Sequence, residues 1–235
     1  YVLDGKSYPM PLHGFVHVTE LSMEEQMADR IVFRLDSDEE TGKCYPFAFT
    51  YRVIYELDGD VLHITYQVEN HDEKTMYFGI GGHPGFLVPM EDSLGFEDYY
   101  LEFEGTKDYD EPVRIGFSPD CFVDGGMTPF PLTDGSKIPL KHSLFDNDAI
   151  VLTHTPKTVS LKSDRGTRRV TVSYPDMDYI GFWHATLTEA PYVCIEPWSS
   201  LPSRQDIVED LSTQPGLKSL KAGGVYRNSW SIEIH

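Results

Sequence analysis

The chain of 235 residues is short of cysteine, of positive charge and of long apolar runs, and each shortage closes off a class of function. Three cysteines, Cys44, Cys121 and Cys194, with no CxxC spacing, support neither a disulfide framework nor a zinc knuckle. They are expected to be reduced and buried, as in a cytoplasmic protein. Nineteen basic residues against 38 acidic ones leave a net charge of −19, a field that repels nucleic-acid phosphates and anionic lipid. No apolar run approaches the roughly 20 residues that cross a membrane, and no charged-then-apolar leader precedes the first turn. GxSxG, the P-loop and a strand-borne GxGxxG are missing too, so serine hydrolase, nucleotide and dinucleotide readings have no motif. The first residue is Tyr1 rather than methionine, and the natural N-terminal segment is expected to lie outside this sequence.

What is abundant is β-forming. Aromatics make up 13% of the chain, with 14 tyrosines and 13 phenylalanines, and short strand-like runs recur among Gly, Pro and Asp turns. Tyr1 to Tyr8 reads as a hairpin around Asp4-Gly5. Ile31 to Leu35, Phe47 to Leu57 and Val61 to Glu69 read as an antiparallel meander. In the last of these Leu62, Ile64, Tyr66 and Val68 alternate with polar positions such as His63. Further strands are expected at Tyr99 to Glu104, Val113 to Phe117, Phe145 to Leu152, Thr158 to Ser163, Arg168 to Tyr174, Tyr179 to Trp183, Tyr192 to Ile195 and Val225 to Ile234. Thr19 to Ala28 is read as one short helical turn capped by Ser22. Ser199 to Leu211 is helical or irregular. The expectation is one all-β domain over residues 1–235, a sandwich or barrel.

Two stretches carry candidate chemistry. In Gly79 to Phe86, GIGGHPGF, a strand breaks at Gly81-Gly82 and brings His83 forward, with Pro84 fixing the turn. In Cys194 to Trp198, CIEPW, Glu196 is placed at the end of a buried strand among apolar neighbours, where partial burial strengthens a carboxylate as a base. A turn histidine and a solvated edge carboxylate are the plain alternatives. Together, an imidazole and a carboxylate at strand ends suffice to move two protons. Trp183, Trp198 and Phe86 lie beside them in sequence and suit the apolar face of a sugar, although core packing explains most aromatics. Asp146, Asn147 and Asp148 precede a strand, as an ordinary turn or as ligand-holding groups. His13 and His17 sit in a glycine-bounded loop. A zinc site from His13, His17 and His83 has no HExxH or carboxylate pattern behind it, and no metal is assigned. His142 and His184 are candidates for supporting the site from behind its contact residues.

The ordered set PLHGF, GGHPGF, LFDNDA, CIEPW and LKAGGVY resembles the aldose 1-epimerase (galactose mutarotase) family over nearly the whole chain, in particular its LacX-like branch. The resemblance implies a large antiparallel β-sandwich of the galactose mutarotase-like supersandwich type, with a sugar cleft over one sheet. It puts the catalytic base on Glu196, the proton-donating histidine on His83 and a sugar-holding histidine on His13. The family's sugar-binding aspartate falls among Asp146, Asn147 and Asp148, and Asp148 is the choice carried forward. The family's arginine-bearing segment upstream of the histidine loop has no counterpart in this sequence. The activity implied is anomer interconversion of a hexose such as galactose or glucose, without metal or cofactor, by a monomer or dimer. Two other readings stand beside it. A hexose-6-phosphate 1-epimerase needs a cluster of arginines or lysines at the phosphate, and Arg165, Arg168, Arg169 and Arg204 lie outside the motif loops. A carbohydrate-binding domain without turnover needs no paired acid and base.

Overall fold

The computed structural model describes residues 1–105 and 109–235. Almost every regular element is a strand, and the strands pair antiparallel. The chain falls into two compact units, one formed by Tyr1–Gly79 and Asp206–Ser229, the other by Ile80–Gln205 and Trp230–His235.

In the first unit Ser22–Gln26, Arg30–Asp36, Phe49–Asp58 and Val61–Asn70 pair in chain order, and Val225–Ile234 brings its first half beside the fourth. The alternation expected in Val61 to Glu69 holds in part, since Gln67 is buried as well and Leu62 is only half-buried. Ile64, Tyr66 and Val68 are buried while His63 is exposed. The Asp4-Gly5 hairpin also forms: Val2–Leu3 pairs with Lys6–Ser7, and the two turn residues take φ of 51° and 75°.

The reading of a helical turn at Ser22 is corrected. Ser22–Gln26 is an edge strand, with Ser22 opposite Arg34, Gln26 opposite Ile31 and a bulge between Met23 and Glu25. A local cap preference is worth only about 1 kcal/mol. Here it yields to ladder pairing and to Glu24, which is ion-paired to both Arg34 and Arg52. A charged, bulged edge of this kind also resists pairing with a second sheet. The short α-helix lies elsewhere, at Thr41–Cys44.

The second unit is a sandwich. One sheet has six strands, in the order Val123–Pro129, Val113–Phe117, Ile150–Thr153, Tyr179–Trp183, Tyr192–Trp198 and Gly85–Leu87. The other sheet of this unit runs Lys137–Pro139, Tyr100–Phe103, Thr158–Lys162, Val170–Ser173 and the last residues of Val225–Ile234. Inward-facing side chains fill the space between them: Leu101, Phe103, Val159, Leu161, Val172, Ile180, Phe182, Val193 and Ile195 are all buried. Phe103 from one sheet meets Phe182 from the other edge-on at 6.0 Å between centroids. Ser199 to Leu211, left open between helix and irregular chain, contains no helix.

Candidate active site

Strand Tyr192–Trp198 fixes the site by simple alternation. Val193 and Ile195 point into the sandwich core, so Cys194, Glu196 and Trp198 share the opposite face. The strand continues past the carboxylate, which corrects the expectation that Glu196 stands at its end. Gly181 is opposite Glu196, Ile180 opposite Pro197 and Tyr179 opposite Trp198. A proline is tolerated inside this strand because Gly85–Leu87 pairs only with Tyr192–Cys194 and has already ended.

Beyond that point Ile80–Pro84 runs along the same edge and brings the histidine in. The amide of Gly82 donates to the carbonyl of Pro197 at 2.9 Å, and the amide of Ser199 to that of Ile80 at 2.8 Å. The Ile80 amide in turn donates to Ser199 Oγ at 2.9 Å, and that of Ile195 to the Pro84 carbonyl at 3.2 Å. Neither glycine of the GG pair takes a positive φ. What they provide is room: a Cβ on Gly81 would lie 2.9 Å from the Pro197 carbonyl oxygen and from the Trp198 ring, and one on Gly82 would lie 2.6 Å from the ring of Trp230. Gly181 serves likewise, since a Cβ there would meet the Trp198 ring at 3.2 Å.

The result is that His83 Nε2 stands 3.2 Å from Glu196 Oε1. The two groups live in different surroundings, with 43% of the histidine side chain exposed against 3% of the glutamate. Burial pushes the Glu196 carboxyl up to about 8, the indole N–H of Trp198 donates to it and pulls the other way, and the negative charge of Asp148 adds to the rise. Cys194, two residues back on the same face, has its thiol pushed up to about 12 by burial and by the neighbouring Glu196 charge. Trp183 meets His83 edge-on at 5.8 Å and lies 6.2 Å from the ring of Tyr192. Such a pair, a solvent-reaching imidazole beside a desolvated carboxyl, can protonate one oxygen of a small molecule while deprotonating another.

Among the three residues left open before the strand, Asp146 and Asn147 are exposed, whereas Asp148 is half-buried and is the one whose charge reaches Glu196. Asp148 takes φ of 72° and accepts from Cys121 Sγ at 3.4 Å. Cys121 gave no signal in the sequence, because nothing local ties it to a residue 27 positions away. Cys194 had one, its two-residue spacing from Glu196. His13 belongs to the first unit, in a loop with φ of 65° and its ring edge-on to His17. His184 is buried, with Nδ1 donating to the Ala185 carbonyl at 2.8 Å, which leaves Nε2 to accept from His142 Nδ1 at 3.1 Å. This pair packs against Phe96 and Phe145 as part of the interior.

The family described as aldose 1-epimerase matches residues 1–232. This chain belongs to the aldose 1-epimerase family. It is 30% identical over 230 residues to the plasmid and chromosomal forms of Protein LacX from Lactococcus lactis subsp. lactis, a match spanning 94% of this chain and 74% of theirs. Its structure is similar to that of a galactose mutarotase related enzyme from Lactobacillus acidophilus, with a TM-score of 0.93 and 33% identity over all of this chain and 77% of that one. It is similar too to a galactose mutarotase-like protein from Lactobacillus casei, with a TM-score of 0.92 and 30% identity over all of this chain and 80% of that one. The fold is accordingly the antiparallel mutarotase-like sandwich that the motifs implied. No helix among the described residues is long and apolar enough to cross a membrane.

Proposed function

We propose that this chain interconverts the α and β anomers of an unphosphorylated hexose, with Glu196 and His83 as the proton-transferring pair. The observation that carries the reading is the 3.2 Å approach of His83 Nε2 to a buried Glu196 oxygen, with the carboxyl raised to about 8. A carboxyl beside an imidazole offers one group to accept a proton and one to donate it. The Glu196 carboxylate takes the proton of the anomeric hydroxyl while the His83 imidazolium gives one to the ring oxygen. The bond from C1 to the ring oxygen breaks, leaving the open-chain aldehyde. Rotation about C1–C2 presents the other face of the carbonyl, and reversal with roles exchanged closes the ring as the other anomer. Nothing is oxidised or reduced, and the chemistry calls for no cofactor.

Asp148 is proposed to hold a sugar hydroxyl, and Trp183 and Trp198 to face the apolar C–H side of the ring. His13 is assigned to the sugar by the resemblance alone. The protein is proposed to act in the cytoplasm, on the soluble, cysteine-poor character of the sequence. Polarimetry on fresh α-anomers of galactose and glucose, each beside its 6-phosphate, tests the reading. Acceleration with the free sugars and not with the phosphates is expected. Preference for the phosphates points to a hexose-6-phosphate 1-epimerase, and calorimetric sugar binding without acceleration points to a binding domain.

A further inference from the structure

The face that carries the proton pair also carries a thiol that proton transfer does not use. One ring nitrogen of His83, Sγ of Cys194 and a carboxylate oxygen of Glu196 lie within 4.8 Å of one another. Glu196 Oε1 is buried and, among the described residues, accepts no well-directed hydrogen bond, although His83 Nε2 is at a suitable distance. A desolvated oxygen in that condition is costly and favours a ligand that supplies positive charge. From this geometry we propose that the site takes a borderline-soft divalent cation, zinc in the first instance, through His83, Cys194 and Glu196, and that the cation inhibits the protein rather than serving it.

The donor set decides the class of ion. Nitrogen, sulfur and a single carboxylate suit zinc, whereas calcium needs six to eight oxygens and magnesium a near-octahedral oxygen shell. Zinc bonds of roughly 2.0 to 2.3 Å place tetrahedral ligands roughly 3.5 Å apart. His83 Nε2 and Glu196 Oε1 are already at about that spacing, 3.2 Å, and Cys194 Sγ is within 4.8 Å of both donor sets. Three protein ligands leave one position open for water or a sugar hydroxyl. Binding releases the Cys194 thiol proton to solvent and occupies the lone pairs of both His83 and Glu196. Binding rests on the ligand geometry; inhibition rests on the function proposed above.

Cobalt(II) titration of the full chain separates the two. One cobalt per chain is expected, with a thiolate-to-metal charge-transfer band that zinc displaces. Cys194→Ser should lose the band and bind zinc more weakly by more than the roughly 10- to 100-fold that loss of an outer partner costs. It should keep its mutarotation, if the wild type has any, and that turnover should resist zinc concentrations that stop the wild type reversibly with respect to EDTA. Cys194→Ala and His83→Ala give the same binding readout if the serine variant does not fold. Equal zinc affinity in wild type and Cys194→Ser, or a band lost in Cys121→Ser and kept in Cys194→Ser, overturns the proposal, whatever the sugar assay shows.

Discussion

Replacing Glu196 by glutamine should abolish turnover and at the same time make the protein more stable, by an amount that depends on pH in a defined way. Glu196 is 2% exposed, and its carboxyl is raised from 4.5 to about 8, chiefly by burial. The folded state thus holds the proton more tightly than the unfolded chain does. The stability that this one group contributes is greatest below pH 4.5, falls as pH rises from 4.5 to 8, and levels off above 8, where the ionised group is buried. At about 1.4 kcal/mol per unit the full cost is roughly 5 kcal/mol, of which roughly 3 is already present at pH 7. Glutamine keeps the shape and the acceptor for the Trp198 indole but cannot ionise. Urea or thermal unfolding of the two proteins should therefore agree within about 1 kcal/mol at pH 5 and diverge to roughly 5 kcal/mol at pH 9. For a chain of this length that is a difference of roughly 10 °C or more in melting temperature at pH 9. Titrating groups remote from position 196 cancel in the difference. A glutamine variant no more stable than wild type at pH 9, or a gap independent of pH, would refute a desolvated, high-pKa carboxyl at this position. It would also remove the physical basis for calling Glu196 a base tuned to neutral pH.

Other perturbations move the same carboxyl in opposite directions. Trp198→Phe removes the indole donor that stabilises the carboxylate, so the alkaline-rising limb of the turnover profile should shift up, whereas Asp148→Asn removes the charge that opposes ionisation and should shift it down, together with a higher KM. Parallel shifts in the two variants would contradict the arrangement. Gly82→Ala puts a methyl group 2.6 Å from the buried Trp230 ring; it should cost about 1 to 3 kcal/mol and lower kcat by displacing His83. Denaturant melts and polarimetry on the purified variant check both parts. His83→Ala should lose roughly 10²- to 10⁴-fold in turnover with the circular dichroism unchanged.

Much of the architecture was legible because β-structure writes itself into a two-residue period and into turn residues. Val61–Asn70, the Asp4-Gly5 turn and the closing Val225–Ile234 need little beyond their own neighbours to be placed. Where the local signal was weak and the deciding partner distant, as for Ser22–Gln26 against Arg34 and Arg52, the local reading gave way to the sheet. The identities of His83 and Glu196 came from their motifs, and alternation along CIEPW alone puts Cys194, Glu196 and Trp198 on one face. The tertiary structure decided that two residues 113 positions apart in the chain come within 3.2 Å, because the Gly81-Gly82 segment is hydrogen-bonded along the edge that Gly85–Leu87 vacates. It also decided the chemistry of the carboxyl, since desolvation and the reach of the Asp148 charge depend on what surrounds the strand and not on the strand's own residues.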